Sequence, residues 1–599
     1  MKHQMTFNQF FYLSHERRGF NYMLTGLLFG LLVLSLTAQA QTWSQKPSLT
    51  KYRYGAAAAT GPDGRVYLIG GKDNLGNLHQ TVEVYDPLAE TWTTLSANLP
   101  TPRVYLAAVT GRDGYIYTFG GLVAGGQPSN VFERYDLTSK QWMTMPVMPF
   151  SAGLVTATVL ADGRICVAGN ATKALPLPIT GFFSNVHAYN PKQATWQDII
   201  GNGNYSSAQY AALVTGLDGY AYQFDNAPST VKFDGSAWDY FYPSPSTNLI
   251  HFAGLTGPNG RFYLLGGHSG FPSTSALSTV LDKDDWDPMA PLPAPTYLLA
   301  AAAAEGDLLA MGGIRFASQH YANSNYVFAY GPLAAPEFRS NGQSNRVAFF
   351  RFEDFQGVGI PDDNGTLFSG GGSNTKDDSA NLLINEVKGY AASAGRVNST
   401  KSNLEYASFR INSEHDGTPV HRGDFMRVND HPSLNFGTGS FTIEGWIQIN
   451  RNTGLYTLLD KRKALGGGKY LGYHLFFNAG GKLGLQLANG SSYVNYGATQ
   501  AVPLASQTQV LGGWTHIAVS VERGNGVNKV SFYINGVLAG EFPALVGDIN
   551  SPGVALNIGR HNFNSGTFFG ALDDLAFYNR SLNWPEVRAI FLAGRAGKQ

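Results

Sequence analysis

Six times along the first half of the chain, a tight turn built on glycine is followed by an alternating strand. This repeat limits the possible folds more than any other feature of the sequence. The clearest copies are DGRVYLIGG at 63–71, DGYIYTFGG at 113–121 and NGRFYLLGG at 259–267. Degenerate copies follow at 162–170 (DGRICVAGN), 218–226 (DGYAYQFDN) and 305–313 (EGDLLAMGG). Asp-Gly and Asn-Gly tolerate the positive φ of a type I′ turn, so each unit contains a hairpin here. Upstream of each turn runs a strand of small residues, such as YGAAAAT at 54–60, YLAAVTG at 105–111, HFAGLTG at 251–257 and LLAAAAA at 298–304. Small side chains suit the crowded centre of a radial array, which places these strands innermost.

Downstream of each hairpin a third strand ends as VEVYDP, FERYDL, VHAYNP or TVKFDG, and a fourth begins at Trp92, Trp142, Trp196, Trp238 or Trp286. Trp92 precedes the next turn at Asp113, Trp142 that at Asp162 and Trp196 that at Asp218, all by a near-constant interval. Trp43 stands at the same interval before Asp63, so it is in register although no hairpin unit precedes it. The sixth unit, in contrast, ends at NYVFAYGP (325–332) with no tryptophan before Trp446. The surplus at one end fills the deficit at the other. The strand around Trp43 is therefore expected to complete the sixth sheet and close the ring, leaving no long edge unpaired.

Over 41–332 the pattern resembles kelch repeats, on the glycine pairs Gly70-Gly71, Gly120-Gly121, Gly266-Gly267 and Gly312-Gly313 and the spaced Tyr and Trp residues. The resemblance implies a six-bladed β-propeller. Ahead of it, residues 1–40 read as a secretory signal. A leucine-rich run from Met23 to Ala38 follows Arg17 and Arg18 and ends in the small-residue site Ala38-Gln39-Ala40. That run is shorter than the roughly 20 residues of a spanning helix. The expectation is a secreted, extracellular or cell-surface protein with no membrane span. Cys166 is the single cysteine, so no internal disulfide can form and stability must come from core burial. Charged residues make up only 14% of the chain and the 42 basic and 42 acidic residues cancel, which argues against a nucleic-acid partner.

Beyond a linker at 333–345 (LAAPEFRSNGQSN), the pattern changes to period-two strands, including SFTIEGWIQI (440–449), YHLFFNA (473–479), KLGLQLA (482–488), WTHIAVSVE (514–522) and KVSFYINGVLAGEF (529–542). This is the alternation of a β-sandwich. A short helix is expected near the end of the chain, capped by Asn583 with Glu586 three residues on. The motifs LNFGTGSFTIEGWI, GWTHIAVSVE, VSFYINGVLAG and GALDDLAFYNRSLNWPEV resemble the laminin-G-like, concanavalin-A-like jelly-roll family, giving a second domain over 346–599. The resemblance implies glycan or protein binding, with Ca²⁺ at Asp573 and Asp574. Asp362 and Asp363 are further candidate ligands, since hard cations want clustered oxygens.

Two kinds of enzyme are the alternatives. A glycan-cleaving sandwich needs paired carboxylates, yet Glu444 alternates with apolar neighbours and has no acidic partner on its strand. The acidic run DKDDWD at 282–287 reads as a solvated loop of the fifth blade. A copper radical oxidase of the galactose-oxidase type needs a Tyr–Cys cross-link. Here Cys166 stands mid-strand, where other blades carry Tyr67, Tyr117 or Tyr263, and reads as ordinary core. What remains is recognition by loops. Those after the glycine pairs are long and rich in Asn, Ser, His and aromatics, and with the turns entering the inner strands they share one face. Arg53, Arg103, Tyr105, Tyr210, His251, His268, Tyr297, Arg315 and His320 are expected to border it. The sequence thus reads as an all-β, two-domain protein that recognises a glycan or an extracellular protein, in adhesion or a related role, with Ca²⁺ as its expected cofactor.

Overall fold

The computed structural model describes residues 41–170, 185–199, 212–224, 230–241, 249–336 (apart from 282, 284, 318 and 319) and 429–596 (apart from 451–453, 507–512, 525 and 564–567), with short strands between 339 and 428. Six four-stranded antiparallel sheets form the first half. In the first blade, Ala57–Thr60 is innermost, followed outward by Val66–Ile69, Val82–Asp86 and Thr91–Thr94. The other innermost strands are Ala107–Thr110, Leu154–Val159, Ala212–Thr215, Ala253–Thr256 and Ala300–Ala304. Each packs against the next and the sixth against the first, so the ring is closed.

In the sixth blade the outermost strand is Ser44–Lys46, from the opposite end of the repeat region. It runs antiparallel to Val327–Tyr330 with Ser44 opposite Ala329 and Lys46 opposite Val327. The tryptophan register explains why it docks there. Trp92, Trp142, Trp196 and Trp238 each lie 5.0–5.2 Å, centroid to centroid, from the aromatic ring that ends the third strand of their own blade. Trp43 lies 5.3 Å from Tyr330, the sixth blade's version of this contact, and its indole N–H donates to the Ala290 carbonyl at 2.8 Å. The hairpin turns are braced in a similarly repeated way. Tyr67, Tyr117 and Tyr222 donate their hydroxyls to Asp63, Asp113 and Asp218 at 2.8, 2.7 and 2.5 Å. In the third blade Cys166 takes the tyrosine's place, and Asp162 instead accepts from Arg164 at 2.8 Å.

The second domain is a sandwich of two antiparallel sheets. One contains Gly570–Tyr578, Phe441–Ile449, Thr515–Gly524, Val527–Ile534 and Val537–Pro543. The other contains Leu556–Ile558, Tyr456–Gly466, Lys469–Phe477, Lys482–Asn489 and Tyr493–Ala501. Alternate residues of both sheets, among them Ile443, Ile447, Tyr473, Leu475, Leu485, Leu487, Val519 and Phe532, fill the space between them.

The helix Trp584–Ala593 joins the two halves. Asn583 caps it, its side chain accepting from Glu586 N at 3.0 Å while the Glu586 carboxylate accepts from Asn583 N at 2.9 Å. It seals one end of the propeller's axial channel. The Leu592 carbonyl accepts from Gly306 N at 2.8 Å, and Asn583 Nδ2 donates to the Leu217 carbonyl at 2.7 Å. A continuous apolar cluster runs from propeller residues Tyr117, Phe119 and Val155 to Ala518, Tyr533, Ala576, Trp584 and Ile590 of the second domain. Among the described residues no helix is long and apolar enough to cross a membrane.

Candidate functional site

At the channel end opposite the helix, the chain turns sharply into four of the inner strands. Gly55, Tyr105, His251 and Leu298 all hold φ between 53° and 60° there. Three of them bear side chains for which that conformation is costly. A belt of backbone bonds around the mouth holds it in place. Leu298 N donates to His251 O (3.1 Å), Gly55 N to Leu298 O (3.0 Å), Tyr105 N to Gly55 O (2.7 Å) and Val155 N to Tyr105 O (3.2 Å). Only glycine suits position 55, since a Cβ there would meet the Tyr105 ring at 2.6 Å.

The belt aims a cluster of side chains at the mouth. His251 Nδ1 lies 3.2 Å from His268 Nε2, the His268 ring packs edge-on to Tyr297 at 4.8 Å, and Tyr54 lies 6.2 Å from Tyr105. Burial lowers the pKa of His251 to about 3, with neighbouring His268 adding to the effect, and burial also lowers that of His268. Both imidazoles are therefore neutral at physiological pH and act as hydrogen-bonding groups. Below the mouth the channel holds about 200 Å³ in its upper half and about 240 Å³ in its lower half, walled mainly by alanine, valine and leucine.

The structure thus brings Tyr105, His251, His268 and Tyr297 together. Arg53 and Arg103 are a correction: neither borders the face. Arg53, 1% exposed, pairs with Glu83 at 2.5 Å and donates to the Gly70 and Thr81 carbonyls. Arg103, fully buried, pairs with Glu133 at 2.6 Å and donates to the Gly120 and Val131 carbonyls. Each arginine is 30 residues ahead of its glutamate, a repeat-matched spacing that marks a brace inside the blade. Arg315 stacks over Tyr326 at 4.4 Å in a small sheet above the sixth blade, built from Thr296–Tyr297, Ile314–Ala317 and His320–Asn323. His320 opens the last of these strands. Tyr210, Asp362 and Asp363 lie outside the described residues.

In the sandwich, Asp573 and Asp574 sit in the middle of Gly570–Tyr578, each 1% exposed. Asp574 has a φ of 53°, where the strand slips register against Phe441–Ile449. Among the described residues, the one cluster of three metal-type ligands is elsewhere: Asp460, His474 and His561, with ligand atoms within 4.8 Å of one another. A guanidinium already occupies its centre. Arg462 donates to both Asp460 oxygens at 2.8 Å, sits 2.6 Å from His561 Nε2 and also bonds Gln486. Burial, followed by the charge of Arg462, lowers the pKa of His474 to about 2. A second cation would meet this fixed charge, so the cluster is a hydrogen-bonded network centred on arginine.

Strand register gives that network its shape. Asn557, Asp460, His474, Gln486 and Asn495 lie directly opposite one another across five adjacent strands, on the face turned away from the core. Gln486 passes the chain on to Asn495 at 2.7 Å, and Asn495 is exposed. Tyr470, Tyr493 and Phe563 rim this end, with Tyr470 6.0 Å from Tyr493 and 5.6 Å from Phe563, and the Arg462 guanidinium over Tyr470. The sequence reading missed this row. One signal was legible: His474 and Gln486 are polar residues at the outward positions of alternating strands, each between two apolar neighbours that face the core. Their alignment depends on register. Cys166 is fully buried, its thiol pushed up to about 12 by burial, and its buried apolar cluster contains no tyrosine among the described residues for a cross-link. Glu444 is fully buried as well, accepting from Tyr578 at 3.1 Å beside His516 at 3.2 Å.

Comparison with known proteins divides the chain in the same way. Residues 30–224 match the family model of the KLHDC2/KLHL20/DRC7 kelch-repeats domain, and residues 422–588 match that of the concanavalin A-like lectin/glucanases superfamily. No curated protein matches the chain. Among solved structures, one titled "Structure of YjhT" is 17% identical over 47% of this chain and 96% of its own, with a TM-score of 0.38.

Proposed function

We propose that this is an exported recognition protein whose sandwich binds a glycan at the outer end of the polar row. The observation that carries the reading is the aromatic rim. Tyr493 and Phe563 are 47% and 44% exposed beside the hydrogen-bonding Asn495. Rings that can stack on the C–H faces of a sugar, beside amides that can bond its hydroxyls, match the chemistry of a carbohydrate site. The buried network behind them holds the strands in register, so the platform is set before the ligand arrives. Export rests on the leader-like residues 1–40 alone. Calcium dependence rests on Asp573 and Asp574 alone, and an unchanged Tm on chelation removes it from the reading.

Glu444 has no solvent access and the cluster around Cys166 holds no tyrosine among the described residues, so neither residue supports an enzymatic alternative. The test is a glycan array probed with the full chain, followed by titration of the best hit against Tyr493→Ala and Phe563→Ala. Each substitution is expected to weaken binding about tenfold, in line with the roughly 0.5–1.5 kcal/mol of an aromatic contact beyond its buried area. A hit that both variants bind unchanged, or an array without hits, turns the reading toward a protein ligand.

A further inference from the structure

The floor of the propeller channel carries a charge that no described side chain pairs with directly. Arg588, on the helix that seals the channel, lines its lower half together with Thr60, Thr110 and Trp584. Its Nη2 donates to the Thr60 carbonyl at 2.5 Å and its Nη1 to the Asn535 carbonyl at 3.5 Å, with Phe591 under the guanidinium at 5.0 Å. Among the described residues no carboxylate lies within ion-pairing distance of it. The acid whose field it feels, Asp63, is committed to the Tyr67 hydroxyl at 2.8 Å.

Buried cations are ordinarily paired. Arg588 is enclosed by protein yet keeps accessible surface, and the space it borders is the channel. The threonine hydroxyls around it are spent on the preceding blade of the ring: Thr60 donates to Ala303 O, Thr110 to Thr60 O and Thr256 to Thr215 O. The guanidinium is thus the charged donor of the floor, and above it rises a wall of methyl groups from Ala58, Ala108, Ala157 and Ala301. We propose that the channel is a blind pocket for a short aliphatic monocarboxylate, its carboxylate on Arg588 and its tail along the alanine wall. The ligand enters through the mouth bordered by Tyr105 and His251, because the helix closes the other end.

The full chain titrated with sodium formate, acetate, butyrate and hexanoate at constant chloride tests this. Saturable binding is expected, with affinity rising roughly fourfold per added methylene while the tail stays within the channel. Arg588→Gln should abolish it. Ala58→Leu leaves the guanidinium in place but narrows the wall, so it should keep formate binding and lose hexanoate, which decides the matter if Arg588→Gln fails to fold. No saturable binding by any member, or equal binding to Arg588→Gln, overturns the proposal. So does binding without dependence on chain length, which would mark a site for inorganic anions.

Discussion

Arg53 and Arg103 show how much one side chain does inside a blade. Each guanidinium ties a carboxylate and two carbonyls of neighbouring strands into a single bonded unit inside the core. Removing one partner strands the other's charge there, which costs about 3–5 kcal/mol. Glu133→Ala is expected to lose stability on that scale in chemical denaturation, and Arg103→Met/Glu133→Leu to recover much of it. Histidines give a second prediction at this scale. His251 and His474 have folded pKa values of about 3 and 2, below the unfolded value of 6.5. Between those limits the unfolded chain binds more protons, so stability is full above pH 6.5 and falls as pH drops through the window. Each contributes a slope of at most about 1.4 kcal/mol per pH unit. His474→Gln should flatten the loss measured by urea midpoints between pH 7 and pH 5, and an unchanged slope would show that imidazole to be charged in the fold.

Among the elements, the strand Ser44–Lys46 and the helix Trp584–Ala593 bring distant segments together. The strand supplies the last edge of the sixth blade and, with Trp43, that blade's Tyr–Trp contact. Deleting 41–46 should lower Tm far more than trimming an ordinary terminus, because it exposes the edge of Val327–Tyr330. A melting curve that does not move would mean the ring is held without it. The helix depends on its cap. Asn583→Ala removes both the capping bond and the bond to the Leu217 carbonyl, and should cost about 1–2 kcal/mol in denaturation midpoint experiments.

For the molecule as a whole, the apolar cluster crossing from blade two and three residues to the sandwich predicts coupled unfolding. Arg112 strengthens that crossing through Glu541 at 3.1 Å and Tyr533 at 3.2 Å. Calorimetry of the full chain is expected to show one dominant transition, and a chain ending at residue 582 should melt at a lower temperature because its channel floor is open to water. Two well-separated transitions in the full chain would mean that the shared cluster does not couple the halves.

The repeat, the strand alternation and the displaced Trp43 were legible in the sequence because turn chemistry and side-chain periodicity are local, and local preferences repeated six times reinforce one another. The helix cap was legible for the same reason. The fate of polar residues was not. Arg53 and His251 both stand beside the inner strands, yet one became a buried brace and the other part of the mouth cluster. Position alone did not separate them; the glutamate on the third strand of the blade and the positive-φ turn did. The row from Asn557 to Asn495 exists only because five strands pair in one register, and a slip of one residue would turn those side chains into the core. Arg588 reached the channel floor because a helix of the second domain, far along the chain from Thr60, packs across the propeller's open end. Sequence determined which elements form; the long-range pairing of those elements decided which side chains meet, because that choice depends on distances through space that no local preference encodes.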